Sequence, residues 1–263
     1  MEATAIVITS GKGGVGKTTI TANLGMGLAG LGYKVCLVDT DTGLRNLDLV
    51  LGLEQRIVFD LVDVARGHCR LQQALIHDRR NPNLYVLPTS QRCDKTALKP
   101  ADMRLVMAAL RQSFDYVLID CPAGIEEGFQ VAIAAADQAL VIVNPEVSSV
   151  RDADRVLGML QEAGMRDVRL IINRLRPEMV ARNDMMDVRD IEEILGVPML
   201  AALQEDSQVI VSTNRGEPLV LDKRAKTGKL FEEMAKAVSG RQICLVAMPG
   251  PITFMGRIKA LFA

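Results

Sequence analysis

The stretch SGKGGVGKTT, residues 10 to 19, offers the first chemistry in the sequence. Gly11, Gly16, Lys17 and Thr18 satisfy G-x-x-x-x-G-K-[ST], a pattern in which glycines let backbone N–H groups curl around phosphate oxygens. The run Gly11, Lys12, Gly13, Gly14, Val15, Gly16, Lys17, Thr18, Thr19 follows an apolar strand-like segment and opens a helix-like one, so the positive end of a helix faces the same anion. Lys17 would balance phosphate charge, and the Thr18 hydroxyl would ligate Mg²⁺. A merely tight turn needs neither residue. The loop also holds a second lysine, Lys12, which phosphate binding does not by itself require. Three carboxylates complete the set: Asp39 and Asp41 in LVDTDTGLRNLD, and Asp120 at the end of YVLID. Ordinary carboxylates titrate at about 4, so Asp39 and Asp41 are expected to be charged at neutral pH and suit Mg²⁺-linked work. No glutamate directly follows Asp120 and no other strong general base declares itself, which predicts slow hydrolysis without a partner.

These residues need a scaffold that brings strand ends together. Short apolar runs recur at 4–9, 34–39, 84–88, 116–120, 139–143, 168–173 and 198–203 and read as buried strands. Segments of helical periodicity alternate with them, as in TTITANLGMGLAGLG and RDADRVLGMLQEAG. The order predicts an α/β fold, a doubly wound and mostly parallel sheet flanked by helices, with ligands bound beyond the carboxyl ends of the strands. DKRAKTGKLFEEMAKAVSG, 222–240, reads as a closing amphipathic helix ended by Gly240, and Pro249, Gly250 and Pro251 keep that helix from resuming directly.

Composition narrows the function. The 263 residues are 49% hydrophobic, enough for one large domain, and 31 basic against 32 acidic residues leave a net charge of -1. That balance argues against a general nucleic-acid footprint. Cys36, Cys69, Cys93, Cys121 and Cys244 form no C-x-x-C pair, which fits a reducing cytosol; Cys121 reads as a small buried residue. His68 and His77 read as solvated helix or turn residues. No secretory signal is seen at the start, and no apolar run reaches the roughly 20 residues that span a bilayer, so a soluble or peripheral protein is expected.

GKGGVGKT resembles the deviant Walker A signature of the MinD, ParA and nitrogenase iron-protein superfamily. The resemblance implies a P-loop ATPase in which Lys12 reaches across a nucleotide-sandwich homodimer to the phosphates of the other subunit. Asp39 would hold a water of the Mg²⁺ shell, Asp41 would contact or polarise the attacking water, and Asn46 would help to orient it. Asp120 would be the Walker B carboxylate, with Pro122, Ala123 and Gly124 as switch II. IINR, 171–174, resembles the adenine-side element, placing Asn173 on the purine with Arg174 beside it, although an asparagine ending a strand equally caps or turns.

On a helical wheel, ITFMGRIKALFA from 252 to 263 gathers Leu261, Phe254, Ile258, Phe262 and Met255 on an arc of about 120°, with Arg257 and Lys259 on its flanks. A helix docked on its own domain would show much the same wheel. The geometry also suits an anionic membrane interface. Further segments, TGLRNLDLVLGLE, NLYVLPTSQ, DCPAGIEEGF, NPEVSSVRDADRVLG and NRGEPLVLD, resemble the MinD division-site ATPases and spread over most of the chain. That branch carries a short basic membrane-targeting helix after a linker, here an ATPase domain at 1–240, a linker at 241–251 and the helix at 252–263. QICLVAM, 242–248, is more apolar than such a linker would be.

The resemblance implies ATP-bound dimers that gather on the inner face of the cell membrane, or in a plastid stroma. They would recruit the division inhibitor MinC and leave when MinE or an equivalent activator stimulates hydrolysis. Asp152 and Asp154 match the acidic helix tied to MinC recognition; a solvated helix face is the plainer reading. Three relatives remain alternatives: a paralogue regulating flagellar number, a ParA-type DNA-partition ATPase, and an iron-protein-like electron carrier with Cys93 and Cys121 as its only candidate cluster ligands.

Overall fold

Residues 2–42, 45–91, 93 and 97–241 are described by a computed structural model of the chain. The strands are β1 Thr4–Thr9, β2 Val35–Asp39, β3 Ile76–His77, β4 Leu84–Leu87, β5 Tyr116–Asp120, β6 Gln138–Val143, β7 Asp167–Leu175 and β8 Met199–Gln204. Between and after them lie the helices α1 Lys17–Gly30, α2 Leu47–Val50, α3 Leu61–Ala65, α4 Leu71–Ala74, α5 Pro100–Arg111, α6 Glu127–Ile133, α7 Val147–Glu162, α8 Pro177–Val180, α9 Val188–Leu195, α10 Ser207–Asn214 and α11 Lys226–Val238.

The eight strands form one sheet in the order β3-β4-β2-β5-β1-β6-β7-β8. All pairings are parallel except β3 against β4. All seven expected strands are present. The short β3 was not expected, and His77 lies on it, half-buried and edge-on to Tyr85, rather than on a solvated helix or turn. His68 is exposed in the turn after α3, as expected. Cys121 is fully buried. The closing helix starts at Lys226 rather than 222, because Leu219–Leu221 form a 3-10 turn ahead of it.

Burial on both faces explains why these strands read as continuous apolar runs. Successive side chains alternate across the sheet, so Ile6, Ile8, Leu37 and Leu118 join the core under α1 and α11, while Val7, Val38 and Ile119 join the core under α5, α6, α7 and α9. The chain winds to one side of β1 through β2 and β5, then to the other through β6, β7 and β8. The carboxyl end of β1 is therefore the switch point where ligands bind in such sheets.

Two devices fix the elements around that point. Helix α1 is buried nearly all round, and Gly25 lets it approach β2: a Cβ there would lie 2.3 Å from Leu37 Cδ2. Arg80 grips the buried Asp78 carboxylate through Nε at 3.0 Å and Nη2 at 2.5 Å, and donates to Leu51 O at 2.7 Å and Gly216 O at 2.6 Å. That single guanidinium ties the end of α2 to the end of α10. A Gly25→Ala substitution overpacks the α1–β2 contact and lowers stability by about 1–3 kcal/mol in denaturant titration. An unchanged midpoint would show that α1 has room to shift.

Candidate nucleotide site

The loop from Ser10 to Gly16 joins β1 to α1 at the switch point. Gly14 and Gly16 take left-handed backbone conformations, φ 76° and 106°, that turn the chain into the first turn of α1. A Cβ on Gly16 would also lie 2.6 Å from Asn173 Nδ2, so the absent side chain is what lets β7 brace the loop. Asn173 Nδ2 donates to Val15 O at 2.7 Å. The adjacent Arg174 is exposed, at φ 60°, on the rim of a cavity of about 680 Å³ that Asn144, Glu146, Arg176 and Met179 also line.

Within the loop the two lysines occupy opposite environments. Lys17 is buried and donates to Ser10 Oγ at 3.0 Å, and that hydroxyl in turn donates to Lys12 O at 2.8 Å. Burial pulls the Lys17 ammonium below its ordinary range, opposed by the charges of Asp120, Cys121 and Asp41. Lys12 points out: its side chain is 42% exposed, and Nζ lies 2.9 Å from Glu146 Oε2 and 3.2 Å from Ser148 Oγ at the start of α7. The loop is pressed onto that same helix, since a Cβ on Gly11 would lie 2.4 Å from the carbonyl oxygen of Asp152. Asp152 is consequently half-buried behind the loop, whereas Asp154 is exposed. Two residues apart on a helix, they cannot share a face.

Asp39 and Asp120 are register partners on the adjacent strands β2 and β5, and both are buried. Asp39 Oδ1 accepts from Asp41 N at 2.9 Å and Oδ2 from Leu47 N at 3.3 Å. Asp120 Oδ1 takes the Thr21 hydroxyl at 3.2 Å, and the Thr18 hydroxyl also bonds to this carboxylate. Burial is the main reason both carboxylates titrate high: Asp39 is pushed well above its ordinary range, with Asp120 as a further repulsion, and Asp120 rises to about 6, held back by Thr18, Lys17 and Thr21. Two dehydrated carboxylates with the neighbouring Thr18 hydroxyl form a hard oxygen donor set that a divalent cation would satisfy. They are too few for an all-protein cage. They fit Mg²⁺, which keeps waters and phosphate oxygens as its remaining ligands.

Asp41, half-buried, borders a cavity of about 410 Å³ between Thr40, Thr42, Pro122, Ala123 and Phe129. Thr40 Oγ1 donates to Asp120 O at 2.7 Å, and the Thr42 and Thr89 hydroxyls meet at 3.1 Å, so this segment is stapled to β5 and to the loop after β4. Asn46 stands exposed at the start of α2. Lys12, Lys17, Thr18, Asp39, Asp41, Asn46, Asp120 and Asn173 are thus brought to one edge of the sheet. Ser10, Thr21, Glu146 and Ser148 join them without having been foreseen. Thr21 had a local signal, since it lies four residues after Lys17 on the same helix face; Glu146 and Ser148 had none. Phe254, Met255, Arg257, Ile258, Lys259, Leu261 and Phe262 lie outside the described residues, as does the segment 242–251.

A parallel sheet whose switch point carries a glycine loop, a buried lysine and paired carboxylates defines a P-loop nucleotide-binding protein. Residues 6–219 match the CobQ/CobB/MinD/ParA nucleotide binding domain, and the chain belongs to that family. Within it, the chain is similar to septum site-determining MinD proteins. It is 54% identical to the putative MinD of Guillardia theta over 239 residues, 90% of this chain and 89% of that one. The MinD of an Aquifex aeolicus MinC:MinD cell division protein complex superposes with a TM-score of 0.86 at 46% identity, covering 92% and 98% of the two chains. MinD of Pyrococcus horikoshii, solved with Mg-ADP, gives 0.80 at 32% identity over 90% and 96%.

The raised carboxylates make the ligand-free protein sensitive to pH. For Asp120 the penalty is absent below its unfolded value of 3.8, grows as the pH rises towards about 6, and is complete above that. Asp120→Asn therefore raises the melting temperature of ligand-free protein at about pH 8, with the gain shrinking as the pH falls towards about 4. The same variant weakens Mg²⁺-dependent nucleotide binding roughly tenfold or more in a fluorescence titration. A gain that does not vary with pH would contradict the burial of these charges.

Proposed function

We propose that this chain is an ATP-hydrolysing switch that dimerises with ATP, binds an anionic membrane surface and recruits the division inhibitor MinC, and is released when MinE or an equivalent activator stimulates hydrolysis. The observation that carries the reading is the contrast between the two lysines. Lys17 is buried at the phosphate cradle, while Lys12 is parked on exposed Glu146 and Ser148 of its own chain.

An exposed ion pair contributes only about 0–1 kcal/mol. It yields readily to the stronger charge-assisted bonds that phosphates of a second, ATP-loaded subunit would supply. Lys12 thereby couples nucleotide to dimerisation. Backbone N–H groups from Gly11 to Thr19 and the Lys17 ammonium would hold the phosphates, with Asn173 and Arg174 towards the base. Thr18, Asp39 and Asp120 would hold Mg²⁺, which supplies charge neutralisation at the phosphates. Asp41 and Asn46 would orient the attacking water. With no glutamate after Asp120, turnover is slow until a partner completes the site, which suits a timer.

Residues 1–240 would be the ATPase domain and 241–251 a linker to a membrane helix at 252–263. One such helix binds weakly, and a dimer presents two, so dimerisation sets membrane affinity. The Aquifex complex with MinC and the Pyrococcus Mg-ADP complex are what a relative with these functions would form. Asp154, exposed on α7, is the better placed of the two acidic residues to meet MinC directly.

Co-sedimentation with anionic liposomes tests the reading. Full-length protein is expected to pellet with ATP and Mg²⁺, and to stay in solution with ADP or without nucleotide. Truncation after Gly250, or Phe254→Glu or Ile258→Glu, abolishes pelleting without preventing the ATP dimer. Binding that ignores nucleotide would remove the switch and leave a nucleotide-binding protein of other purpose.

A further inference from the structure

Asp48 is the most costly side chain beside the site that the chemistry above leaves unused. Its carboxylate is 0% exposed, and neither oxygen meets a well-aligned hydrogen-bond donor among the described residues. The nearest cation is Arg45, whose Nε lies 3.0 Å from Asp48 Oδ2 and is itself without a hydrogen-bond partner, so the attraction is one of charge and not of a directed bond. Burial dominates and pushes the Asp48 pKa up; Arg45 and the backbone N–H groups of Asp48 and Leu49 oppose it, and Glu54 adds a further repulsion. Arg45 carries a second cost, a backbone φ of 42° that non-glycine residues rarely adopt. Buried charge with poorly formed hydrogen bonds and left-handed backbone both destabilise a fold, and they persist where the surroundings over-determine them.

The surroundings here do so. Asp48 sits on a fixed post: Leu53 N donates to Asp48 O at 2.8 Å, and Arg80 holds Leu51 O at 2.7 Å. Arg45 sits between the two groups assigned to the attacking water. Its N–H donates to Asp41 O at 3.1 Å, and Asn46 is the next residue in the chain. Only 15% of the Arg45 side chain is exposed, so the guanidinium is drawn inward against Asp48 instead of lying in solvent.

We propose that Arg45 and Asp48 are positioning residues for ATP hydrolysis, a buried charge pair that holds Asp41, through the Arg45 N–H, and the adjoining Asn46 in their reactive placement at the expense of stability. The proposal rests on the ATPase reading above. It assigns to this pair no contact with nucleotide or metal, and so predicts a loss of turnover without a loss of binding.

The test uses full-length protein on anionic vesicles. Asp48→Asn keeps the shape and removes the charge, so kcat falls roughly 10- to 100-fold. KM and the affinity for a fluorescent ADP with Mg²⁺ change by less than about twofold. The melting temperature stays level or rises by roughly 2–4 °C, because a dehydrated charge has been removed. Arg45→Lys, which keeps the cation, retains most of the turnover, and Arg45→Gln does not. A melting temperature that falls together with turnover would make the pair an ordinary structural strut and overturn the proposal. Unchanged kcat would overturn it too. Wild-type protein that never hydrolyses ATP would instead strike the ATPase reading, before any variant is compared.

Discussion

Two carboxylates held side by side out of water are the constraint on which the rest of this structure turns. Asp39 and Asp120 can be neighbours only because β2 and β5 run parallel and in register, both ending at the same edge of the sheet. Their mutual repulsion and loss of hydration have to be offset locally. The Thr18 and Thr21 hydroxyls, the buried Lys17 ammonium and the backbone N–H groups of Asp41 and Leu47 do this. Each of those groups is placed by an element whose sequence is otherwise concerned with packing: α1 pressed onto β2 at Gly25, and β2 drawn into the middle of the sheet. The site is therefore an unfinished electrostatic arrangement, which a divalent cation and a polyphosphate would complete.

The same logic separates the two lysines of one loop. Lys17 lies in a buried setting where loss of hydration outweighs the opposing attraction of Asp120 and Asp41. Lys12 lies in water, where its contact with Glu146 is weak and exchangeable. A charge held weakly is free to change partners, and a charge held strongly defines a binding site. Gly11, next to Lys12, packs closely on α7, the helix that carries Asp154.

Much of this was legible in the sequence, for physical reasons. Strands buried on both faces announce themselves as short apolar runs, and all seven such runs are strands. The P-loop pattern needs specific residue types at specific offsets, so it locates Lys17 and Thr18 without a structure. What escaped was either too short or too remote. β3 has two residues and no periodicity to detect. Glu146 and Ser148 lie 134 and 136 residues from Lys12, and nothing local marks them. Arg80 looks like any surface arginine until its bonds to Leu51 and Gly216 are seen. Nothing in the sequence marks Asp48 as buried, and its partner Arg45 lies only three residues away. The pairing of Asp152 with Asp154 could have been questioned from spacing alone, since residues two apart on a helix face different ways.

If the second lysine is the switch, Lys12 exchanges a partner in its own chain for one in a second subunit when ATP is bound. Light scattering after gel filtration, with ATP and Mg²⁺ present, measures this directly on wild-type protein and on Lys12→Ala. The wild type is expected to be a dimer with ATP and a monomer with ADP, and Lys12→Ala to bind nucleotide yet stay monomeric. A Lys12→Ala protein that forms the ATP dimer as readily as the wild type would contradict the exchange, and would leave the second lysine as a solvated bystander of the loop.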